Sequence, residues 1–182
     1  MKKTIIDLFE ASVRKYGAKT FLLEKRHHKF EPTTYAETRE QALEAGAGLA
    51  ALGIRPGDKV AILAEGSNAW IISELGLFYA GAVSVPLSVK LEESNDLLFR
   101  MRHAEVKAVF VSKHQLPKIR RIRAELLRAG FLKLFGLLAR HAASGQHRFH
   151  RASRNGQRLR ILARLVLLNH PAKAAVHGLY DV

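Results

Sequence analysis

One glycine-containing segment has the spacing of a nucleotide-binding motif. The run Gly46-Ala47-Gly48-Leu49-Ala50-Ala51 matches the G-x-G-x-x-A pattern, in which glycines let the backbone approach a pyrophosphate at the start of a helix. That chemistry requires a strand immediately before the motif, but the preceding residues have helical spacing of small and apolar side chains. We therefore interpret the small residues as a surface on which a second helix packs closely, and not as a cofactor site.

Histidines are the other residues that could bind a metal ion. His141, His147 and His150 lie close together in the sequence, but the chain has no cysteine and no carboxylate near them. Arginines beside each histidine would also repel a cation. The pair His27-His28 is predicted to be an exposed turn between two short extended segments.

The sequence gives no support for nucleophilic catalysis or for a phosphate loop of the P-loop type. Ser67 and Ser73 lack the G-x-S-x-G context of a hydrolase serine. The G-x-x-x-x-G-K-[ST] pattern, which holds phosphates on backbone N–H groups, is absent. The sequence therefore predicts no catalytic, cofactor-binding or metal-binding residue.

Charge is distributed unevenly over the 182 residues. The chain has 30 basic and 16 acidic residues, a formal charge of +14, and no cysteine. Residues 1–126 hold 20 of the basic and 15 of the acidic residues, whereas residues 127–182 hold ten basic residues and only Asp181. The lack of cysteine excludes a disulfide scaffold and a thiol nucleophile, and we expect a cytoplasmic protein.

The Arg/His-rich tail of residues 127–182 allows two interpretations. It could be a basic arm that contacts nucleic acid or an anionic membrane. Alternatively, it is an out-of-frame or disordered extension, which we favour because solvated protein surfaces normally mix both signs of charge. We expect one basic helix around Phe131 to Leu138 and a second at Leu159–Leu168.

Residues 1–126 contain the capping residues and apolar patterns that predict alternating helices and strands. Thr4 with Asp7, and Thr34 with Glu37, have the spacing of capping boxes and predict the starts of two helices. Apolar strands and amphipathic helices then follow in the order βαβαβ: Lys59–Leu63, Ala69–Tyr79, Ala82–Val85, Glu92–His103 and Ala108–Ser112. Strands separated by helices predict a mostly parallel sheet with right-handed crossovers, which is an α/β fold.

Five segments in this part of the chain resemble, in order, those of one enzyme superfamily. They are Thr33–Glu37 (T-T-Y-A-E), Leu52–Ile62 (L-G-I-R-P-G-D-K-V-A-I), Asn68–Trp70, Phe78–Leu87 (F-Y-A-G-A-V-S-V-P-L) and Ala104–Ser112 (A-E-V-K-A-V-F-V-S). The chain thus resembles the beginning of an AMP-forming acyl-CoA synthetase, in particular the long-chain fatty acyl branch of the adenylate-forming ligases.

The resemblance implies a partial N-terminal subdomain of the adenylate-forming ligase fold over residues 1–126. Intact members of the family adenylate a fatty acid with ATP and Mg²⁺ and then transfer the acyl group to CoA. Their phosphate loop, T-S-G-T-T-G-x-P-K-G, and their catalytic lysine belong to later parts of the family's sequence, and neither is found here. We therefore expect a truncated segment that binds no cofactor and is inactive alone.

Three further expectations follow. The chain could complement a separately encoded remainder of the enzyme. A non-catalytic binding module, with the basic tail on nucleic acid or anionic membrane, is the alternative function. If neighbouring strands are missing, Val60–Leu63 and Ala108–Val111 would expose apolar edges and favour aggregation.

Overall fold

The structure is a computed structural model that describes residues 3–91, 94–128 and 134–138. Five helices and six strands lie in these ranges. They are α1 (Ile5–Tyr16), β1 (Thr20–Arg26), β2 (Lys29–Thr34), α2 (Tyr35–Ala51), β3 (Lys59–Leu63), α3 (Asn68–Tyr79), β4 (Val83–Pro86), α4 (Ser94–His103), β5 (Ala108–Ser112), α5 (Leu116–Arg128) and β6 (Leu134–Leu138).

The predicted capping boxes begin the first two helices. The Thr4 hydroxyl accepts from the Asp7 N–H at 3.1 Å, and the Asp7 carboxylate accepts from the Thr4 N–H at 2.8 Å. Thr34 and Glu37 repeat this arrangement at α2. Each box satisfies N–H groups that have no partner within the helix.

Four strands form one parallel sheet in the order β4-β3-β5-β6. Val60 is paired with Ser84 on one side and with Ala108 on the other. β3 and β5 are the central strands, and their residues are almost wholly buried. The prediction of an α/β fold with mostly parallel strands is confirmed.

Two helical layers cover the two faces of this sheet. On one face, Leu97 and Met101 of α4 and Ile122 of α5 pack against Ala61, Val109 and their neighbours on alternate strand positions. On the other face, Leu49 of α2 and Leu77 of α3 pack against Val60, Ile62 and Phe110. Burial on both faces explains the apolar runs Val60–Leu63 of β3 and Ala108–Val111 of β5.

β1 and β2 form a separate antiparallel hairpin in which Arg26 pairs with Lys29. The two turn residues, His27 and His28, have φ values of 45° and 68°. Positive φ at both positions defines the tight turn that matches strand twist in two-residue hairpins. The predicted turn at His27-His28 is confirmed.

Two expectations from the sequence need correction. Leu134–Leu138 is a strand paired with β5, where helical spacing led to the prediction of a helix. A five-residue apolar run is compatible with a helix or a strand, and here its pairing with the sheet decides for the strand. The strands Val60–Leu63 and Ala108–Val111 are not exposed edges, because β4 and β6 flank them. The predictions for residues 139–182, including Leu159–Leu168, lie outside the described residues.

One helix was missing from the sequence-based prediction. α5 follows β5 and buries Ile119, Ile122 and Leu126, which recur at helical spacing. This spacing is visible in the sequence, but the four cations between Leu116 and Leu126 obscure it.

Within the described ranges, no helix is long and apolar enough to cross a bilayer.

Candidate functional site: the carboxyl edge of the sheet

The carboxyl ends of parallel strands are where α/β folds bind ligands, so the loops after β3, β4 and β5 define the candidate site. Glu65, two residues after β3, accepts a hydrogen bond from Gln115 Nε2 at 2.8 Å. Gln115 lies beyond β5, and Ser112 at the end of that strand accepts from its backbone N–H at 3.3 Å. These contacts connect the loops of the two central strands.

A second connection ties the loop after β4 to α5. Lys118 Nζ donates to the carbonyl oxygen of Val89 at 2.6 Å. The backbone of Leu87 donates to the Ile62 carbonyl at 2.9 Å, which fixes the start of that loop. Lys118 therefore ties α5 to the loop after β4 at this edge.

Glu65 is the charged group at the centre of this edge. Burial alone would raise the pKa of its carboxyl, but hydrogen bonds from Gln115 and Ser112 lower the pKa below its ordinary value. Glu65 is therefore ionised at neutral pH. An anionic group next to neutral partners does not favour a second anion, such as a phosphate, at this position.

A cleft lies beside this edge, between the β1–β2 hairpin and the starts of α2 and α3. Its volume is about 360 Å³, and it is lined by Glu24, Arg26, Glu31, Pro32, Thr33, Glu37, Gln41, Asn68, Ala69 and Ile72. Arg26 makes ion pairs with Glu24 at 2.8 Å and with Glu31 at 3.5 Å. Glu37 caps α2. The charged side chains named here are thus engaged in ion pairs with one another or in capping α2.

A polar triad joins the three helices α1, α2 and α3. Glu10 accepts from Arg39 Nε at 2.7 Å and from the Tyr79 hydroxyl at 2.6 Å. Burial alone would raise the pKa of Glu10, but the hydrogen bonds from Tyr79 and Arg39 lower it. Burial, and next the hydrogen bond to Glu10, raises the pKa of Tyr79 far above its ordinary value. These groups hold the three helices together.

The glycine segment lies within α2, against α3. A Cβ on Gly46 would come within 2.8 Å of the Gly76 carbonyl oxygen, and a Cβ on Gly76 within 2.7 Å of Ala45 Cβ. No strand precedes Gly46, because the helix begins at Tyr35. The interpretation of these residues as a helix-packing surface is supported by this contact.

The remaining candidates are placed apart from one another. Ser67 caps α3 and accepts from the Trp70 N–H at 3.2 Å, while Ser73 is buried in the middle of that helix. His27 and His28 occupy the hairpin turn. Among the residues that the structure describes, no group of three or more His, Cys, Asp or Glu could hold a metal ion. His141, His147 and His150 lie outside those residues.

The contacts around Glu65, Gln115 and Lys118 were not predicted from the sequence. A signal for them exists, since polar residues follow each apolar strand, and the carboxyl ends of parallel strands must lie at one edge. The pairing of Glu65 with Gln115 nevertheless depends on which strands are neighbours. These contacts fix the three loops relative to one another.

Comparison with known proteins defines the class that has this fold and these motifs. The model of the AMP-binding enzyme family matches residues 9–146. The chain belongs to the AMP-binding enzyme family. The resemblance that the five sequence segments indicate is thereby confirmed.

Curated relatives include ligases that act on long-chain fatty acids. The chloroplastic long-chain-fatty-acid–[acyl-carrier-protein] ligase AEE15 of Arabidopsis thaliana is 30% identical over 109 residues, which are 60% of this chain and 15% of that protein. The long-chain-fatty-acid–CoA ligase ACSBG2 of Rattus norvegicus is 28% identical over 117 residues, 64% of this chain and 17% of that protein. The chain therefore spans less than a fifth of the length of each.

Solved structures confirm the fold. The N-terminal domain of FACL13 from Mycobacterium tuberculosis superposes with a TM-score of 0.67 at 22% identity, over 83% of this chain and 39% of that one. The anthranilate CoA ligase AuaEII in complex with anthranoyl-AMP gives a TM-score of 0.65 at 25% identity, over 73% of this chain and 24% of that one. The described residues thus share the fold of the N-terminal domain of FACL13.

Proposed function

We propose that the chain provides the first sheet layer of an ATP-dependent ligase that activates long-chain fatty acids as acyl-AMP and transfers them to CoA. Membership of the AMP-binding enzyme family is the observation that carries this proposal. The fatty acid substrate is supported by relatives named as long-chain-fatty-acid ligases. An acyl-carrier protein in place of CoA is the acceptor named for one of them.

We also propose that the 182-residue chain does not catalyse this reaction alone. Adenylation needs donors held against the α-phosphate and a metal ion that neutralises charge, and such preorganisation supplies most of the rate. At the carboxyl edge of the sheet, Glu65 is anionic and Lys118 is bound to Val89. Within the described residues, no group of three or more His, Cys, Asp or Glu could hold the metal ion, so these residues do not fit ATP with Mg²⁺.

The role of a scaffold explains the buried contacts better than a catalytic role. Gln115, Ser112 and Lys118 fix the loops after the strands, on which the catalytic groups of a complete ligase would be carried.

The lack of cysteine fits a reducing compartment, and we propose the cytoplasm as the location. Imaging of a fluorescent fusion tests the location independently of activity.

Fatty-acid-dependent exchange of pyrophosphate into ATP tests the proposed reaction. The purified chain is expected to show no exchange and no acyl-CoA formation with fatty acids of several lengths, while an intact relative such as ACSBG2 serves as the positive control. Exchange by the chain alone would overturn the proposal of inactivity.

Complementation tests the proposed scaffold role. The downstream part of an intact relative, expressed without its own N-terminal layer, is mixed or co-expressed with this chain. Restored fatty-acid-dependent exchange supports a layer that can serve a ligase. Failure to associate with any such remainder, under conditions where the relative's own N-terminal layer does associate, would contradict it.

A further inference from the structure

The positive charge of the described residues is concentrated in one helical layer. Residues 3–91 hold eleven basic and ten acidic residues, and are close to neutral. Residues 94–128, which include α4 and α5, hold nine basic and three acidic residues. The excess therefore lies on the side of the sheet that these two helices cover, and it does not include the charges of residues 139–182.

The outer side of α4 carries an exposed aromatic ring. Leu97 and Met101 are buried against the sheet, at 1% and 0% exposure, whereas Phe99 between them is 66% exposed. Because consecutive helical residues are rotated by about 100°, Phe99 points away from the buried stripe. Its ring stacks on His103, with centroids 5.7 Å apart and an angle of 15° between the rings.

Exposed arginines lie on the outer sides of both α4 and α5. Arg100 and Arg102 of α4 are exposed, and Arg102 donates to the Glu125 carbonyl oxygen of α5 at 3.2 Å, which joins the two helices. On α5, Arg120, Arg121 and Arg128 are exposed on the side opposite the buried Ile119, Ile122 and Leu126. We call these five arginines with Phe99 and His103 the basic face.

Acidic residues only partly offset this charge. Glu105, after α4, is occupied by Lys59, whose Nζ lies 3.1 Å from the carboxylate. Asp96 lies on the outer side of α4 one turn before Phe99, and Glu125 is half-buried on α5. Five exposed arginines against these two carboxylates leave the face positive.

We propose that the basic face is a docking surface for an anionic lipid bilayer. Guanidinium groups bind lipid phosphates, and a single apolar side chain among them enters the boundary between headgroups and acyl chains. Single-stranded nucleic acid is the other polyanion to consider, but it is bound by successive aromatic side chains on which bases stack. The two aromatic rings defined for this face, Phe99 and His103, are stacked on each other and offer no row of separate stacking positions, which favours the bilayer. This inference goes beyond the proposed ligase function and does not depend on it.

Sedimentation of the full 182-residue chain with vesicles tests the proposal. Vesicles of phosphatidylcholine with phosphatidylserine are compared with phosphatidylcholine alone. Arg120→Gln with Arg121→Gln removes two charges from the face, and Arg14→Gln with Arg55→Gln removes two exposed charges elsewhere. Both variants keep the tail, so its contribution cancels.

Each arginine near an anionic bilayer contributes about fivefold to the binding affinity, so the first variant should bind at least tenfold more weakly than the control. Equal binding of the two variants would overturn the proposal.

Depth of insertion provides a second readout. Trp70 is the only tryptophan and packs in the layer of α2 and α3, on the other face of the sheet. In Phe99→Trp, lipids brominated on their acyl chains should quench the added fluorescence, while the wild-type chain should not be quenched. Unquenched Phe99→Trp fluorescence in bound protein would refute docking through this face. The proposal is also refuted if Arg120→Gln with Arg121→Gln weakens oligonucleotide binding but leaves vesicle binding at the control value.

Discussion

The contact between α2 and α3 makes a quantitative prediction about Gly76→Ala. The added Cβ would lie 2.7 Å from Ala45 Cβ and 3.0 Å from the Ala42 carbonyl oxygen. Carbon atoms in ordinary contact lie about 3.5–4.0 Å apart. Neither neighbour is the flexible end of a side chain, so the two helices must separate by roughly 1 Å to admit the methyl group.

Two opposing effects determine the size of the change. Overpacking of this kind typically costs about 1–3 kcal/mol. Replacing a helical glycine by alanine returns about 1 kcal/mol through lower backbone entropy in the unfolded chain. The structure therefore predicts a net loss of about 1 kcal/mol in the free energy of unfolding for Gly76→Ala. Gly46→Ala, whose Cβ would lie 2.8 Å from the Gly76 carbonyl oxygen, should behave alike.

Urea unfolding followed by circular dichroism measures this change as a lower midpoint. Gly66→Ala is the steric control, because nothing lies within 4 Å of its added Cβ. Ala47→Gly, at an exposed position of α2, measures the backbone contribution in the same helix. If Gly76→Ala stabilises the chain by about as much as Ala47→Gly destabilises it, the close helix approach is refuted.

Two further predictions concern the helix triad and the hairpin turn. Folding lowers the pKa of Glu10. The stability that ionised Glu10 contributes to the fold is therefore fully present above its ordinary pKa of 4.5 and is lost as the pH falls through the lowered value. Glu10→Gln should cost about 1 kcal/mol at neutral pH, and urea midpoints should converge with the wild type in acid; a pH-independent difference contradicts this. His28→Gly should raise the free energy of unfolding by about 1 kcal/mol, because His28 has φ of 68°. Unchanged stability would show that the turn is unstrained.

Helix starts and buried strands were predictable because their signals are local. The capping boxes at Thr4 and Thr34 use residues three positions apart, and the same hydrogen bonds are found in the structure. Apart from Lys59 at the start of β3 and Ser112 at the end of β5, both strands are apolar because helices cover both faces of a parallel sheet. These features require no knowledge of distant residues.

The strand Leu134–Leu138 and the pairing of Glu65 with Gln115 were not predictable in the same way. A short apolar run fits a helix or a buried strand, and its pairing with Ala108–Ser112 decides between them. Glu65 and Gln115 are 50 residues apart and meet only because β3 and β5 are neighbours. Sheet order is a property of the whole chain, which local patterns do not encode.

The two helical layers differ in a way that bears on how a complete ligase would be built. α3 contains one charged residue, Glu74, which accepts from the Ser84 hydroxyl at 3.0 Å, and its Trp70 and Ile71 are half-buried. α5 instead combines a buried apolar stripe with exposed arginines, the pattern of a helix whose outer side faces water or charge. A further protein layer would therefore gain apolar contacts on the side of α3, whereas the side of α4 and α5 would remain available to an anionic surface.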